Sequence, residues 1–124
     1  MILKFRVQEL DFLFSFDIIS TIEATLRFDY MERAHRKRKG EISHVFRDIY
    51  KSKKDRVRLE EDILDIWGRC KPSCKSIIGK FKGVLKYRDW IAHGRYWILK
   101  VQKYNTRDVH AIACELIKRL SIFT

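Results

Sequence analysis

Residues 74–94 read CKSIIGKFKGVLKYRDWIAHG. Ile77, Ile78, Phe81, Val84 and Leu85 recur in steps of three and four, the period of a helix with one buried face. The spacing predicts a helix from about Cys74 to His93. Pro72 breaks the chain before it, Ser73 is a candidate N-cap, and Gly94 suits a left-handed C-terminal cap. Arg88 continues the apolar row, so its guanidinium is expected to be at least partly buried. It then needs a counter-charge, because a buried unpaired ion costs several kcal/mol.

Outward from this stretch the same period recurs. From Val7 to Tyr30, Leu10, Leu13, Phe14, Ile18, Ile22 and Leu26 predict a long first helix. Glu23 and Arg27 stand in the favourable order for a helical ion pair. A second helix is expected over Glu41 to about Lys51, on Ile42, Val45, Phe46 and Ile49, followed by a polar connection through Arg56. A third is expected over Leu59 to Gly68, on Leu59, Ile63, Ile66 and Trp67, with Glu60, Glu61 and Asp62 in the first turn where the dipole favours acids. Arg95 to Asn105 is mixed and aromatic, an extended loop or a short strand. Thr106 can cap a last helix striped by Val109, Ile112, Ala113, Leu116, Ile117 and Leu120. About five amphipathic helices with short connections predict an all-α fold, an antiparallel up-and-down bundle forming a single domain over residues 1–124.

Composition narrows the function classes. With 46% apolar and 35% charged residues the chain is globular, not disordered. Twenty-seven Lys and Arg against sixteen Asp and Glu leave a net charge of +11, which points to a polyanionic partner, nucleic acid first. Arg36, Lys37, Arg38 and Lys39, within the run 33–39, are candidate contacts to a nucleic-acid backbone. The three cysteines, Cys70, Cys74 and Cys114, form no disulfide framework and fit a reducing cytosol. Cys70 and Cys74 lack a second close ligand pair, so zinc is not expected. No secretory leader and no membrane-length apolar run is seen, so a cytoplasmic protein with no membrane partner is expected.

The chemistry-bearing segment is Tyr87-Arg88-Asp89-Trp90-Ile91-Ala92-His93-Gly94-Arg95-Tyr96-Trp97. Arg88 and His93 are about 140° apart around an ideal helix, so they do not share a face by default. A helix end at Gly94 lets His93 swing; the alternative is a C-terminal histidine that bonds the last carbonyls of the helix. Glu23, Asp89 of another subunit and a substrate phosphate are the candidate partners of Arg88. Trp90, Tyr96 and Trp97 read as core or interface aromatics before base-stacking platforms.

This segment resembles the signature of HEPN domains: an arginine, a polar residue, a short spacer and a histidine, here Arg88, Asp89 and His93. The resemblance extends weakly through Glu23 and Arg27 and the Leu59–Trp67 helix. It implies a small helical bundle and metal-independent cleavage of RNA, with no cofactor, in a toxin or an antiviral defence component. Arg88 and His93 would be the catalytic pair, Asp89, Glu23, Arg27 and Tyr96 would support them, and Arg95 would join the RNA contacts. The 2′-hydroxyl of RNA supplies the nucleophile. A histidine takes or gives its proton and an arginine offsets charge on the phosphate, leaving a 2′,3′-cyclic phosphate and a 5′-hydroxyl. The resemblance also implies a homodimer in which two motifs face one cleft, and a nucleotidyltransferase antitoxin as a candidate partner. The tyrosine such partners modify lies two residues after the histidine. Here that place is Arg95, and Tyr96 follows it, which sets the antitoxin pairing apart from the nuclease expectation. The alternative is a HEPN module that binds RNA or protein without cleaving. A DNA-binding regulator finds no helix-turn-helix spacing in support.

Overall fold

The computed structural model describes residues 2–36, 40–93 and 104–122. Among these residues five α-helices pack as an all-α bundle: α1 (Ile2–His35), α2 (Glu41–Lys53), α3 (Asp65–Cys70), α4 (Lys75–Ala92) and α5 (Thr106–Arg119). A 3₁₀ turn follows α2 (Lys54–Arg56), a π-helical stretch leads into α3 (Leu59–Leu64), and a second 3₁₀ turn opens α4 (Pro72–Cys74). No strand occurs among the described residues. Of the segment expected as loop or strand, residues 95–103 lie outside them, and Tyr104 and Asn105 are irregular backbone.

The expected apolar rows of the third, fourth and fifth helices meet in one core. Ile63, Phe81, Val84, Val109 and Leu116 are completely buried, together with Phe46 from α2 and Ile19 and Leu26 from α1. Aromatic edges fill the space between elements: Tyr30 meets Phe46 edge-on at 5.1 Å between ring centroids, and Phe46 meets Trp67 at 6.1 Å. Burial holds the Tyr30 hydroxyl in its neutral form up to a pKa of about 12, and it donates to the Lys54 carbonyl. Lys54 adopts φ 52°, a region that favours glycine, at the point where the chain turns out of α2.

Four local expectations are corrected. α1 is longer than Val7–Tyr30, and its row is rotated: Leu10, Leu13 and Phe14 are exposed, while Ser15, Ile19, Leu26 and Tyr30 face the core. The N-terminal half of α1 is apolar on nearly every side, so periodicity alone could not select the buried face. Ser73 does not cap α4, because the 3₁₀ turn places Cys74 at the N-cap in helical geometry with no side-chain bond. Thr106 does not cap α5. Asn105 does, in a reciprocal capping box with Asp108.

Thr106 has a different role. Its backbone N–H and its hydroxyl donate to the Asp11 carboxylate at 2.9 and 2.7 Å, and the buried Ser15 hydroxyl lies 3.3 Å from its own. This polar lock fastens the start of α5 to α1. Gly83 serves the same end of the bundle, since a Cβ there would come within 2.8 Å of the Tyr104 hydroxyl.

The third expected helix begins in π geometry because the Arg58 carbonyl accepts from both Asp62 and Ile63. Asp62 is buried and ties this start to α2: its carboxylate accepts from the Arg58 N–H at 2.8 Å and from the Lys53 ammonium at 2.9 Å. Burial by itself would raise its pKa, but the Arg58 N–H and Lys53 outweigh it and hold the carboxyl below its ordinary 3.8. The stabilisation is therefore complete above that value and is lost as pH falls through the lower, folded one. Asp62→Asn is expected to lower stability at neutral pH by ~1–3 kcal/mol and to flatten its decline in acid. Urea midpoints measured from neutral pH down to strong acid would check both.

Candidate active site

The C-terminal turns of α4 rest on an aromatic floor. The Tyr87 and Trp90 rings stack at 6.0 Å with 21° between planes, and Phe12 of α1 meets Trp90 edge-on at 5.7 Å. Tyr87 is buried, and Trp90, expected as a core or interface aromatic, is half-buried. Arg88, between them in sequence, meets α1 farther along, at Glu23.

The Arg88 guanidinium lies against α1. Its Nη1 pairs with the Glu23 carboxylate, and its Nη2 donates to the Asp89 carboxylate at 3.1 Å. Of the three candidate partners, Glu23 is the one engaged, and the Asp89 involved belongs to the same chain. The Arg88 and Glu23 side chains are each about three-quarters buried, with 23% and 26% exposed. The pair is therefore screened less than a surface ion pair. Glu23 also takes the Arg27 guanidinium at 3.5 Å, and Arg27 donates to the Val57 carbonyl at 2.9 Å. The Glu23–Arg27 pair is thus no isolated surface bridge. It anchors Arg88 to the chain entering the π-helical stretch.

His93 ends α4 as its C-cap residue. Its backbone N–H donates to the Asp89 carbonyl at 3.0 Å, and its ring Nδ1 lies 2.6 Å from the same oxygen. A carbonyl only accepts, so in this contact Nδ1 carries the proton. In the neutral ring Nε2 is then the acceptor. Asp89 joins the two candidate residues through different atoms, its carboxylate holding Arg88 and its carbonyl holding His93.

The remaining predicted residues divide. Glu23, Arg27, Arg88, Asp89 and His93 form one connected cluster. Arg36 is exposed just beyond the C-terminus of α1, thirteen residues past Glu23 and so ~20 Å along the axis. It does not join the cluster. Lys37, Arg38, Lys39, Arg95 and Tyr96 lie outside the described residues, as does Gly94. Cys74 is buried and its thiol lies 3.5 Å from the Arg119 carbonyl, while Cys70 is half-buried; both are free thiols. Among the described residues no three His, Cys, Asp or Glu side chains converge as metal ligands, and no helix is long and apolar enough to cross a membrane.

Sequence reasoning missed the Val57 carbonyl, whose bond from Arg27 joins residues thirty apart and leaves no local signal. The contact of His93 with the Asp89 carbonyl is the one a histidine closing a helix is expected to make with the last carbonyls.

Set against protein-family models, curated proteins and solved structures, the chain matches none.

Removing one member of the half-buried pair strands the other. Glu23→Ala is expected to lower stability by ~1–3 kcal/mol. Arg88→Met combined with it should cost less than the sum of the single changes. A double-mutant cycle by urea denaturation measures the coupling, and additive effects would show that the pair is energetically idle.

Proposed function

We propose that the chain is a metal-independent endoribonuclease of the HEPN type, acting through Arg88 and His93. The observation that carries this reading is the Asp89 bridge. One residue joins the two candidates, its carboxylate holding the Arg88 guanidinium and its carbonyl holding the His93 ring. The net charge of +11 supports a polyanionic substrate.

The chemistry needs little more than these groups. His93 Nε2 accepts the proton of a ribose 2′-hydroxyl, and that oxygen attacks the adjacent phosphorus. The bond from phosphorus to the 5′-oxygen breaks, the leaving oxygen takes a proton from water, and His93 returns its own proton to water. The products are a 2′,3′-cyclic phosphate and a 5′-hydroxyl. Arg88 offsets charge on the phosphoryl oxygens. A guanidinium carries five N–H donors, and the contacts to Glu23 and Asp89 do not exhaust them. Glu23 and Arg27 position Arg88 without meeting the reacting atoms. The basic run from Arg36 to Lys39 would hold a separate stretch of strand, since Arg36 lies far along α1 from the cluster. Arg95 and Tyr96 belong to the proposal by sequence adjacency alone. A cytosolic toxin or antiviral defence role, a homodimer, and a protein antitoxin or nucleotidyltransferase as partner complete the reading.

A second reading is favoured by one specific contact. Because Arg88 is already neutralised by Glu23, the same cluster suits a HEPN module that binds RNA or protein without cleaving it.

His93→Ala and Arg88→Ala are each expected to reduce RNA cleavage by ~10²–10⁴-fold with helicity retained, Arg88→Ala also melting lower because it strands Glu23, and EDTA should leave the wild type active. End analysis of the products should find 2′,3′-cyclic phosphates. Full activity in either variant would sink the catalytic assignment. RNA binding with no cleavage across varied substrates would select the second reading. In either case binding should weaken steeply with salt.

A further inference from the structure

The inward row of α4 leaves a second line of residues along the outside of the helix. Lys75, Gly79, Lys82, Lys86, Asp89 and His93 follow one another in alternating steps of four and three. They lie within ~40° of one line that runs ~27 Å along the axis. Lys82 is half-buried and the others are exposed. The His93 ring keeps to this line, since its Nδ1 meets the Asp89 carbonyl one turn back. Beside the first half of the line lies an open groove of about 570 Å³, between α4 and the stretch from Glu61 to Arg69. Arg69, Lys75 and Lys82 line it, with Glu61 and Asp65. Both carboxylates are engaged, Glu61 by Arg58 and Asp65 by Lys82. Asp89 farther along already takes Arg88. Among the described residues no ion pair engages Arg69, Lys75 or Lys86.

Gly79 adds an independent observation. It stands inside α4, where glycine is among the poorest helix formers. A Cβ there would meet nothing within 4 Å, so packing does not require a glycine. The missing side chain leaves bare helix backbone in the groove, between Lys75 and Lys82. That is the setting in which a ligand's own backbone can come close.

We propose that this groove and the outer line of α4 carry a single strand of RNA by its phosphates, past Gly79 and along Lys86 to His93. The proposal rests on the RNA-cleaving reading for what happens at His93, while the groove and its cations are argued without it. The groove is a furrow between packed helices, whose axes lie ~8–10 Å apart. One backbone enters such a furrow. A double helix, whose major groove alone is ~12 Å wide, does not. Among the described residues no aromatic side chain lines the groove, so it offers no platform for a base. Its contacts are to phosphates, which position a strand without reading its sequence.

Binding is read by fluorescence anisotropy with the full chain and a 2′-O-methylated single-stranded oligoribonucleotide, which lacks the nucleophile and stays intact. Lys75→Gln combined with Lys86→Gln should lower affinity roughly 25-fold at about 0.1 M salt and flatten the slope of log K against log salt by ~1.4, the loss of two phosphate contacts at ~0.7 each. Lys80→Gln combined with Lys118→Gln removes the same charge from exposed positions off the line and should leave both nearly unchanged. Gly79→Leu should weaken binding while the melting temperature holds or rises. On a cleavable strand, the Lys75 and Lys86 changes should raise KM and keep kcat, whereas His93→Ala lowers kcat. Equal losses in the two double variants would reduce the track to diffuse charge and overturn it. So would undiminished binding in Gly79→Leu, no binding by the wild type, or tighter binding of duplex RNA than of the single strand. Displacement of the strand by polyglutamate at equal charge would assign the groove to an acidic protein instead. A chain that binds the strand as expected and never cuts unmodified RNA keeps the track and overturns the nuclease reading.

Discussion

One helix has to serve every neighbour. α1 runs for 34 residues, ~50 Å at 1.5 Å per residue, while α4 and α5 have 18 and 14. The shorter elements cannot span the bundle, so each is placed by where it meets α1. α2 packs near Tyr30, α5 starts where Thr106 finds Asp11, and α4 is held by Phe12 on one side and Glu23 on another. The face of α1 turned toward the core must therefore carry contacts of three different kinds along its length. That is why its buried positions include Ser15 and Asp29 among the aliphatics.

The acidic residues are few for so basic a chain, and several of them work inside the bundle. Asp11 holds the start of α5, Asp29 takes the Arg33 guanidinium at 2.9 Å, Asp62 joins α2 to the π-helical start, and Glu23 restrains Arg88 and Arg27. Carboxylates engaged in this way do less to offset positive charge at the surface. The stability of the bundle and its attraction for a polyanion are thus coupled through the same small set of side chains. Arg33 also lies 5.1 Å over the Trp67 ring, so even this cation is tied to the core.

The Asp89 bridge shows how two residues that ideal helical geometry separates are brought under one control. Arg88 and His93 do not need to point the same way along α4. Ending the helix at His93 turns its ring back over the last turn, and Arg88 reaches sideways to α1. Asp89 then presents a charged group to one and a main-chain carbonyl to the other. The helix end, more than the helix face, defines this cluster.

The all-α class, the core rows of the last three expected helices and the ionic role of Arg88 were legible in the sequence, because each depends on a local period or on the cost of burying a charge. The ion pair of Glu23 with Arg27 was legible for the same reason, four residues apart on one helix. The choice of Glu23 over the other partners of Arg88 was not, since sixty-five residues separate them and three counter-charges satisfied the same rule. The buried face of the first half of α1 was equally hidden. A helix apolar on all sides has no preferred face until a neighbour covers one. The neighbour is α5, whose position is set by a threonine bonding an aspartate ninety-five residues away. Local periodicity determined that the chain would be helices with Arg88 half inside. Only the packing of those helices decided which apolar surface stayed in water and which carboxylate the arginine would meet.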